Sequence, residues 1–402
     1  MSRKNENKKG ANDAGSIRKI TTTHNGKEYT YWQGRYTEGY DACTGKQIQR
    51  SITGKTQKEV AQKLRQITAE IDAKTYVAPC KLSVAEWMAV WAQDYLVGIK
   101  ASTAYLYKRT IELYIEPHLG HIRLDALNAH TVQHFYNELA KPLKPDAAPL
   151  SAKSIKNIHG VLHKALKQAV LIGYLRTNPT ESCILPRIIR KEMRPLEEDQ
   201  VAVFLREVQG HPHEYLYKIA LFTGLREGEV LGLGWEHIDF QTGTLTVKRQ
   251  LRREQKKGGR YYFSPPKNNK SRCLTLAPSV IQLFRLQKLE QNSMRMEACD
   301  AWEGHGLIFT NQTGGYLSYR TVYDCFKRIV KRIGLSDARI HDLRHTYAVN
   351  CIRAGDDIKT VQSNLGHATA AFTLDVYGHF TDDMRSVSAQ RMEGFITNVL
   401  NL

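Results

Sequence analysis

Apolar and polar positions first alternate in short runs and then take up helical spacing, and that change divides the chain. Residues 17–22, 29–36 and 46–52 are rich in Ile, Thr, Tyr and Trp and read as three strands. His24-Asn25-Gly26 and residues 41–45 supply turn chemistry between them. Thr56 with Glu59 has the form of a capping box, and Val60, Leu64, Ile67 and Ile71 follow at helical spacing. These residues predict a small three-stranded sheet with one helix packed on a face, ending near Pro79. Alternate strand residues share a face, so Tyr29, Tyr31, Trp32, Arg35 and Tyr36 divide between the helix and the opposite surface.

A second capping box, Ser83 with Glu86, opens an almost wholly helical region. Helices are predicted over 83–97, 102–115, 131–140 and 154–172, with Pro117, Pro142 and Pro145 as breaks and Gly173 as a stop. Residues 141–149, with three prolines, read as an exposed loop. Asn178-Pro179 closes the bundle, and the charged stretch 187–194 reads as a linker.

Beyond Pro195, helices over 197–208 and 215–222 lead into the turn Thr223-Gly224-Leu225-Arg226 and a short helix to Leu233. A β-rich island follows, with strands over 244–252, 261–264 and 272–276 and a hairpin turn at 267–270; the remainder is helical. The predicted fold class is multidomain α+β. Its parts are a sheet-and-helix domain (1–79) behind a basic N-terminal arm, an all-helical domain (80–180), a linker (181–194), and a mainly helical domain with a small antiparallel sheet (195–402).

Composition adds a partner. The chain has 402 residues, enough for two or three domains, and 58 Lys and Arg against 40 Asp and Glu give a net charge of +18. The positive charge is spread along the whole length and favours a polyanion. Clusters at 248–260 and 327–332 are candidates for phosphate contacts. No apolar run approaches the roughly 18 residues of a membrane span, and the basic, polar start has no secretory pattern, so neither membrane nor export is expected. Seven scattered cysteines without a Cys-x-x-Cys pair suggest thiols in a reducing compartment, the cytoplasm.

Several chemistries can be set aside. Gly54-Lys55-Thr56 resembles the end of a P-loop, but Gln49 stands where the first glycine is needed. His341 and His345 have the spacing of a helical zinc pair, but Asp342 replaces the glutamate of a zinc protease. His159 and His163 share that spacing and read as a solvated helix face. No nucleophile elbow and no paired carboxylates of a two-metal nuclease appear. No cofactor is expected.

What remains is an ordered basic set: Thr223-Gly224-Leu225-Arg226 with Glu229, then Lys267, then His341-x-x-Arg344-His345, then Leu365-Gly366-His367, and last Tyr377. Arg226 follows a glycine turn at a helix start, and Glu229 one turn on can orient its guanidinium. His341 and Arg344 share a helix face. Gly366 reads as a helix C-cap that turns His367 off the helix end. Tyr377 is placed on a short polar helix bounded by Gly378.

In this order the segments resemble the active-site boxes of the tyrosine recombinases, the phage-integrase-like family. The β-rich start further resembles the arm-binding domain of integrases from conjugative transposons, and the helical region their core-binding domain. The resemblance implies that Arg226 and Arg344 hold the non-bridging oxygens of a scissile phosphate and that His367 adds a hydrogen bond. It implies Tyr377 as the nucleophile that forms a 3′-phosphotyrosyl link, His341 as an aid to proton transfer and Lys267 as the acid for the leaving 5′ oxygen. Asn268 stands where the family often has threonine. His345 is expected to pack behind the site, and Tyr31, Trp32 and Arg35 to meet DNA.

The implied partners are double-stranded attachment-site DNA, three further copies in a homotetrameric synaptic complex, an excisionase and a host DNA-bending protein. Met384, Val387, Phe395, Ile396, Val399 and Leu400 suggest an amphipathic tail helix that docks on a neighbouring subunit. The function expected is integration and excision of a mobile element without metal or ATP, with a conjugative transposon favoured over a prophage. A non-catalytic DNA-binding regulator and a type IB topoisomerase remain as alternatives.

Overall fold

A computed structural model of the chain describes residues 16–24, 27–41, 44–73, 76, 80–142, 148–189, 194–256, 258–377 and 383–400. The basic arm 1–15, Asn25-Gly26, Cys43, Pro79, Pro145, residues 190–193 of the linker, Lys257 and Gly378 lie outside the described residues. The chain divides into two compact units, Met1–Ile189 and Arg190–Leu402.

In the first unit, β1 (Ser16–His24), β2 (Lys27–Tyr40) and β3 (Gln47–Gly54) form an antiparallel sheet in that order. Helix α1 (Gln57–Asp72) lies against it, and Val60 and Leu64 are its buried residues. Close approach sets this packing: a Cβ on Gly34 or Gly54 would meet Val60 at 2.9 and 2.8 Å. Thr56 caps α1 by accepting from the Glu59 amide, and the Glu59 carboxylate reaches back to the Lys55 amide (3.1 Å). By strand alternation Trp32 shares the helix side with Gly34 and Tyr36, whereas Tyr31 and Arg35 point to the opposite face. Tyr36 is buried, with its hydroxyl 2.6 Å from that of Tyr76.

The helical part contains α2 (Val84–Asp94), α3 (Ala101–Thr110), α4 (Glu116–Leu119), α5 (Ala129–Leu139) and α6 (Ala152–Leu171). Ser83 and Glu86 form the reciprocal box at the start of α2. Pro117 does not break the chain's helical path. Its missing N–H falls where the helix widens into the π turn Ile111–Ile115, and α4 continues from it. Trp87, Met88, Ile115, Tyr136 and Leu162 centre the core, and the Trp87 indole donates to the Ala165 carbonyl at 3.0 Å.

Two expectations are corrected here. Asn178-Pro179 is folded into the bundle, since Asn178 and Thr180 are buried and Cys183 and Leu185 still pack on the core. His159 and His163 are not a solvated face: His159 Nδ1 lies 2.9 Å from the Tyr136 hydroxyl and His163 Nδ1 2.8 Å from Thr180 Oγ1. Both rings satisfy buried hydroxyls, which periodicity alone does not reveal.

The second unit begins with α7 (Glu198–Glu207), α8 (Glu214–Thr223) and α9 (Glu227–Leu231). The run expected as one strand over 244–252 is two, β5 (Thr244–Val247) and β6 (Gln250–Arg253). They separate because β6 crosses the backbone after α9, where a Cβ on Gly232 would meet the Leu251 nitrogen at 2.7 Å. Strand β5 pairs with β4 (Ile238–Asp239) and β8 (Arg272–Thr275), while β6 pairs with β7 (Tyr261–Ser264). Residues 265–271 therefore link two sheets and are not the turn of a hairpin. Helices α10 (Pro278–Ala298), α11 (Tyr319–Arg332), α12 (Ile340–Arg353), α13 (Ile358–Leu365), α14 (Ala370–Tyr377) and α15 (Asp383–Leu400) complete the unit. Its main core centres on Phe204, Tyr217, Phe284 and Phe326. A second cluster, Val349, Ile352, Val361, Leu365 and Tyr377, joins α12, α13 and α14.

Candidate active site

Gly224 ends α8 in the left-handed conformation, φ +62°, and a Cβ there would collide with Tyr347 at 2.3 Å. The turn leaves Arg226 as the N-cap of α9, with its guanidinium 2.8 Å from Glu229 Oε1 and its amide donating to Glu229 Oε2 at 3.0 Å. Its other terminal nitrogen donates to the Gly366 carbonyl at 3.3 Å.

Glu229 is fully buried and takes a second arginine, Arg272 of β8, at 3.1 and 2.7 Å. Burial would raise this carboxyl, but the Arg272 hydrogen bond and the charges of Arg272 and Arg226 bring it down to about 2. Arg272 also donates to the Asn364 carbonyl at 2.8 Å, so one guanidinium ties β8 and α9 to the end of α13. The sequence reading missed Arg272. The available signal was its place five residues after Lys267, on the strand leaving the same loop.

Arg344 on α12 is only 2% exposed and donates to the Gly224 and Leu365 carbonyls, both at 2.6 Å. Burial and then Arg226 push its pKa down to about 9, which still leaves it charged at neutral pH. Gly366, φ +62°, ends α13 as expected and turns His367 off the helix. The His367 amide donates to the Gln362 carbonyl (3.1 Å), the Gln362 side chain donates to the His367 carbonyl (2.9 Å), and Nδ1 meets Thr373 Oγ1 (2.9 Å).

Tyr377 ends α14, which is largely apolar rather than the polar helix expected. It is fully buried, stacked on His367 with ring centroids 6.2 Å apart. Its hydroxyl bonds to Nδ1 of His345 at 2.8 Å, not to His341, whose ring stands edge-on to His345 at 4.8 Å. The histidine that meets the hydroxyl is therefore the one a helical turn beyond His341. Burial, then the neighbouring His341, lowers the His345 imidazole to about 4; burial, then Arg344 and Arg226, lowers His367 to about 3.

A cavity of about 280 Å³ opens beside these groups, lined in part by Arg226, Asn268, Lys270, Arg272, Gln362 and His367. Asn268 donates to the Gly366 carbonyl at 3.2 Å. Lys267 lies exposed in a turn closed by the Asn269 amide on the Pro266 carbonyl (2.8 Å), and Lys270 is the lysine of that loop that lines the cavity. Three guanidinium groups against one buried carboxylate, with neutral histidines, make a site suited to one anionic phosphodiester. Tyr31, Trp32 and Arg35 belong to the other unit. Among the described residues no group of three or more His, Cys, Asp or Glu side chains is arranged to hold a metal ion.

Residues 194–384 match the phage integrase family and residues 83–140 its N-terminal SAM-like domain. Over 380 residues the chain is 27% identical to a "tyrosine recombinase XerC-like" protein of Caldanaerobacter subterraneus, covering 90% of this chain and 95% of that one. It is 23% identical to the ICEBs1 integrase of Bacillus subtilis, covering 89% and 95%. Among solved structures, the Tn1549 transposon integrase in complex with transposon right end DNA matches with a TM-score of 0.65 at 24% identity, covering 78% of this chain and 100% of that one. A lambda integrase dimer bound to a core site matches with a TM-score of 0.54 at 20% identity, covering 90% and 95%.

Proposed function

Because the chain belongs to the phage integrase family of tyrosine recombinases, we propose that Tyr377 is the nucleophile with which this site-specific recombinase cuts and rejoins DNA. The observation that carries the reading is the packing of Arg226, Arg344, His367 and the Tyr377–His345 pair around the Gly224 and Gly366 turns, beside a cavity lined by Arg226, Lys270, Arg272 and His367.

The scissile phosphate takes its place against Arg226 and Arg344, which offset the charge that concentrates on its non-bridging oxygens in the pentacoordinate state. His367 donates to one of those oxygens. Tyr377 Oη bonds to phosphorus while its proton passes to Nδ1 of His345. The bond from phosphorus to the 5′ oxygen breaks, and Lys267 gives that oxygen a proton. One phosphodiester has replaced another, so a 5′-hydroxyl from a second strand reverses the step without ATP. Tyr377 is fully buried, and cleavage therefore includes an opening around its hydroxyl that admits the DNA while α14 keeps its bonds to His345 and His367.

The substrate is double-stranded attachment-site DNA of a mobile element, a conjugative transposon by the likeness to the ICEBs1 and Tn1549 integrases. The working complex is a homotetramer, assisted by an excisionase and a host DNA-bending protein. The first unit supports it with Tyr31 and Arg35 on the face of the sheet away from α1. The setting is the cytoplasm; among the described residues no helix is long and apolar enough to cross a membrane.

The test is covalent trapping on a nicked suicide substrate carrying the element end. A denaturation-resistant adduct with the wild type and none with Tyr377→Phe is the expected result. An adduct that persists in Tyr377→Phe assigns the chemistry to another residue.

A further inference from the structure

Two hydroxyls on α14, one turn apart, each end on Nδ1 of a histidine from another segment: Thr373 on His367 and Tyr377 on His345, at 2.9 and 2.8 Å. A threonine inside a helix can return its hydroxyl to the carbonyl four residues back. Thr68, Thr110, Thr223 and Thr346 do so here. Thr373 does not; its hydroxyl turns to His367, its one hydrogen-bond partner among the described residues. Thr373 is fully buried, and a buried hydroxyl proton left without an acceptor is costly. The proton therefore goes to Nδ1 of His367, and a neutral imidazole that accepts at Nδ1 carries its own proton at Nε2.

We infer that Thr373 is a positioning residue that fixes His367 in the Nε2–H form, so that the ring presents the phosphate with a donor and not with a lone pair. The inference rests on the reading of His367 as a phosphate-binding group. The rest of the setting supports it. Gln362 holds both backbone polar groups of His367, and Phe372 stands edge-on to its ring at 4.9 Å, which leaves the ring little freedom to flip. His367 is neutral across the working range, so the position of its single proton decides whether it attracts or repels an anionic oxygen.

The test combines nitrogen NMR of the histidine rings with adduct formation in the full-length chain. With histidine labelled in both ring nitrogens and the His367 signals assigned by loss in His367→Gln, the DNA-free protein should show the Nε2–H pattern. Thr373→Ser keeps the hydroxyl and should retain that pattern and a near wild-type rate. Thr373→Val should mix the two forms and slow adduct formation about tenfold, the worth of one hydrogen bond, with DNA binding unchanged. An Nδ1–H pattern in the wild type overturns the inference, and so does a Thr373→Val protein that is slow with its pattern unaltered. Because the NMR arm needs no DNA, it fails or succeeds independently of the trapping experiment with Tyr377→Phe.

Discussion

The Tyr377 hydroxyl donates to Nδ1 of His345 at 2.8 Å, a bond between the last residue of α14 and the second turn of α12. Burial raises the phenol to about 12 although Arg344 and Arg226 pull it down, and burial lowers the imidazole. Both partners are neutral near pH 7, and Nδ1 of His345 is the one hydrogen-bond partner of the fully buried hydroxyl among the described residues, so the phenol proton goes to it and the imidazole offers the lone pair that would take it.

Removing that acceptor should stop chemistry without stopping DNA binding. His345→Ala is expected to slow single-turnover adduct formation by about 10²–10⁴, the usual worth of a general base. His341→Ala should cost roughly tenfold, the worth of about one hydrogen bond. Equal losses, or a larger one for His341→Ala, would return the role to His341.

The same lowered values set a pH dependence. His345 and His367 fall from the usual 6.5 to about 4 and about 3 in the folded chain. The unfolded chain binds more protons in that interval, so the stability these rings contribute is present above pH 6.5 and is lost as pH falls through 4. Cleavage should follow His345 and hold level down to about pH 5. Adduct rates measured from pH 4.5 to 8 check this; a fall centred near 6.5 would mean that neither histidine is shielded as described.

Arg272→Ala leaves the fully buried Glu229 with Arg226 alone. Breaking a buried pair from one side costs about 3–5 kcal/mol, and because Arg226 remains, the lower end is expected in urea unfolding. Arg272→Lys should recover part of it, since one ammonium cannot bridge both carboxylate oxygens and the Asn364 carbonyl. A loss under about 1 kcal/mol, the range of an exposed pair, is the contrary result.

The two loop lysines can be separated by leaving-group chemistry. A 5′-bridging phosphorothiolate expels a thiolate that needs no proton. Lys267→Ala should therefore cleave it nearly as fast as the wild type while failing on normal DNA, and Lys270→Ala should be modestly slow on both. Rescue of Lys270→Ala instead would move the general acid to the lysine that lines the cavity.

Helix α15 leaves Met392, Phe395, Val399 and Leu400 about 60% exposed, an apolar stripe that its own unit does not cover. Met384 and Val387, read as part of that stripe, have side chains outside the described residues. Deleting residues 386–402 should leave DNA binding by the single chain intact and weaken synaptic assembly in gel shift and sedimentation. Unchanged assembly and recombination would remove the tail from the subunit interface.

The sequence by itself determined whatever depends on neighbours along the chain. Capping at Thr56 and Ser83, the helices of both units, the glycine turns at Gly224 and Gly366, and the ordered Arg226, His341-x-x-Arg344, His367 and Tyr377 were legible because each rests on local geometry. Tertiary structure decided what depends on residues far apart. The run 244–252 splits because Gly232 admits a crossing strand, and the loop with Lys267 joins two sheets because β7 and β8 choose different partners. His345 rather than His341 meets Tyr377, and Arg272 fastens Glu229, because those pairings bridge 32 and 43 residues of intervening chain. A motif can order the catalytic residues along the chain, but which hydroxyl meets which ring nitrogen is set only when separate helices pack.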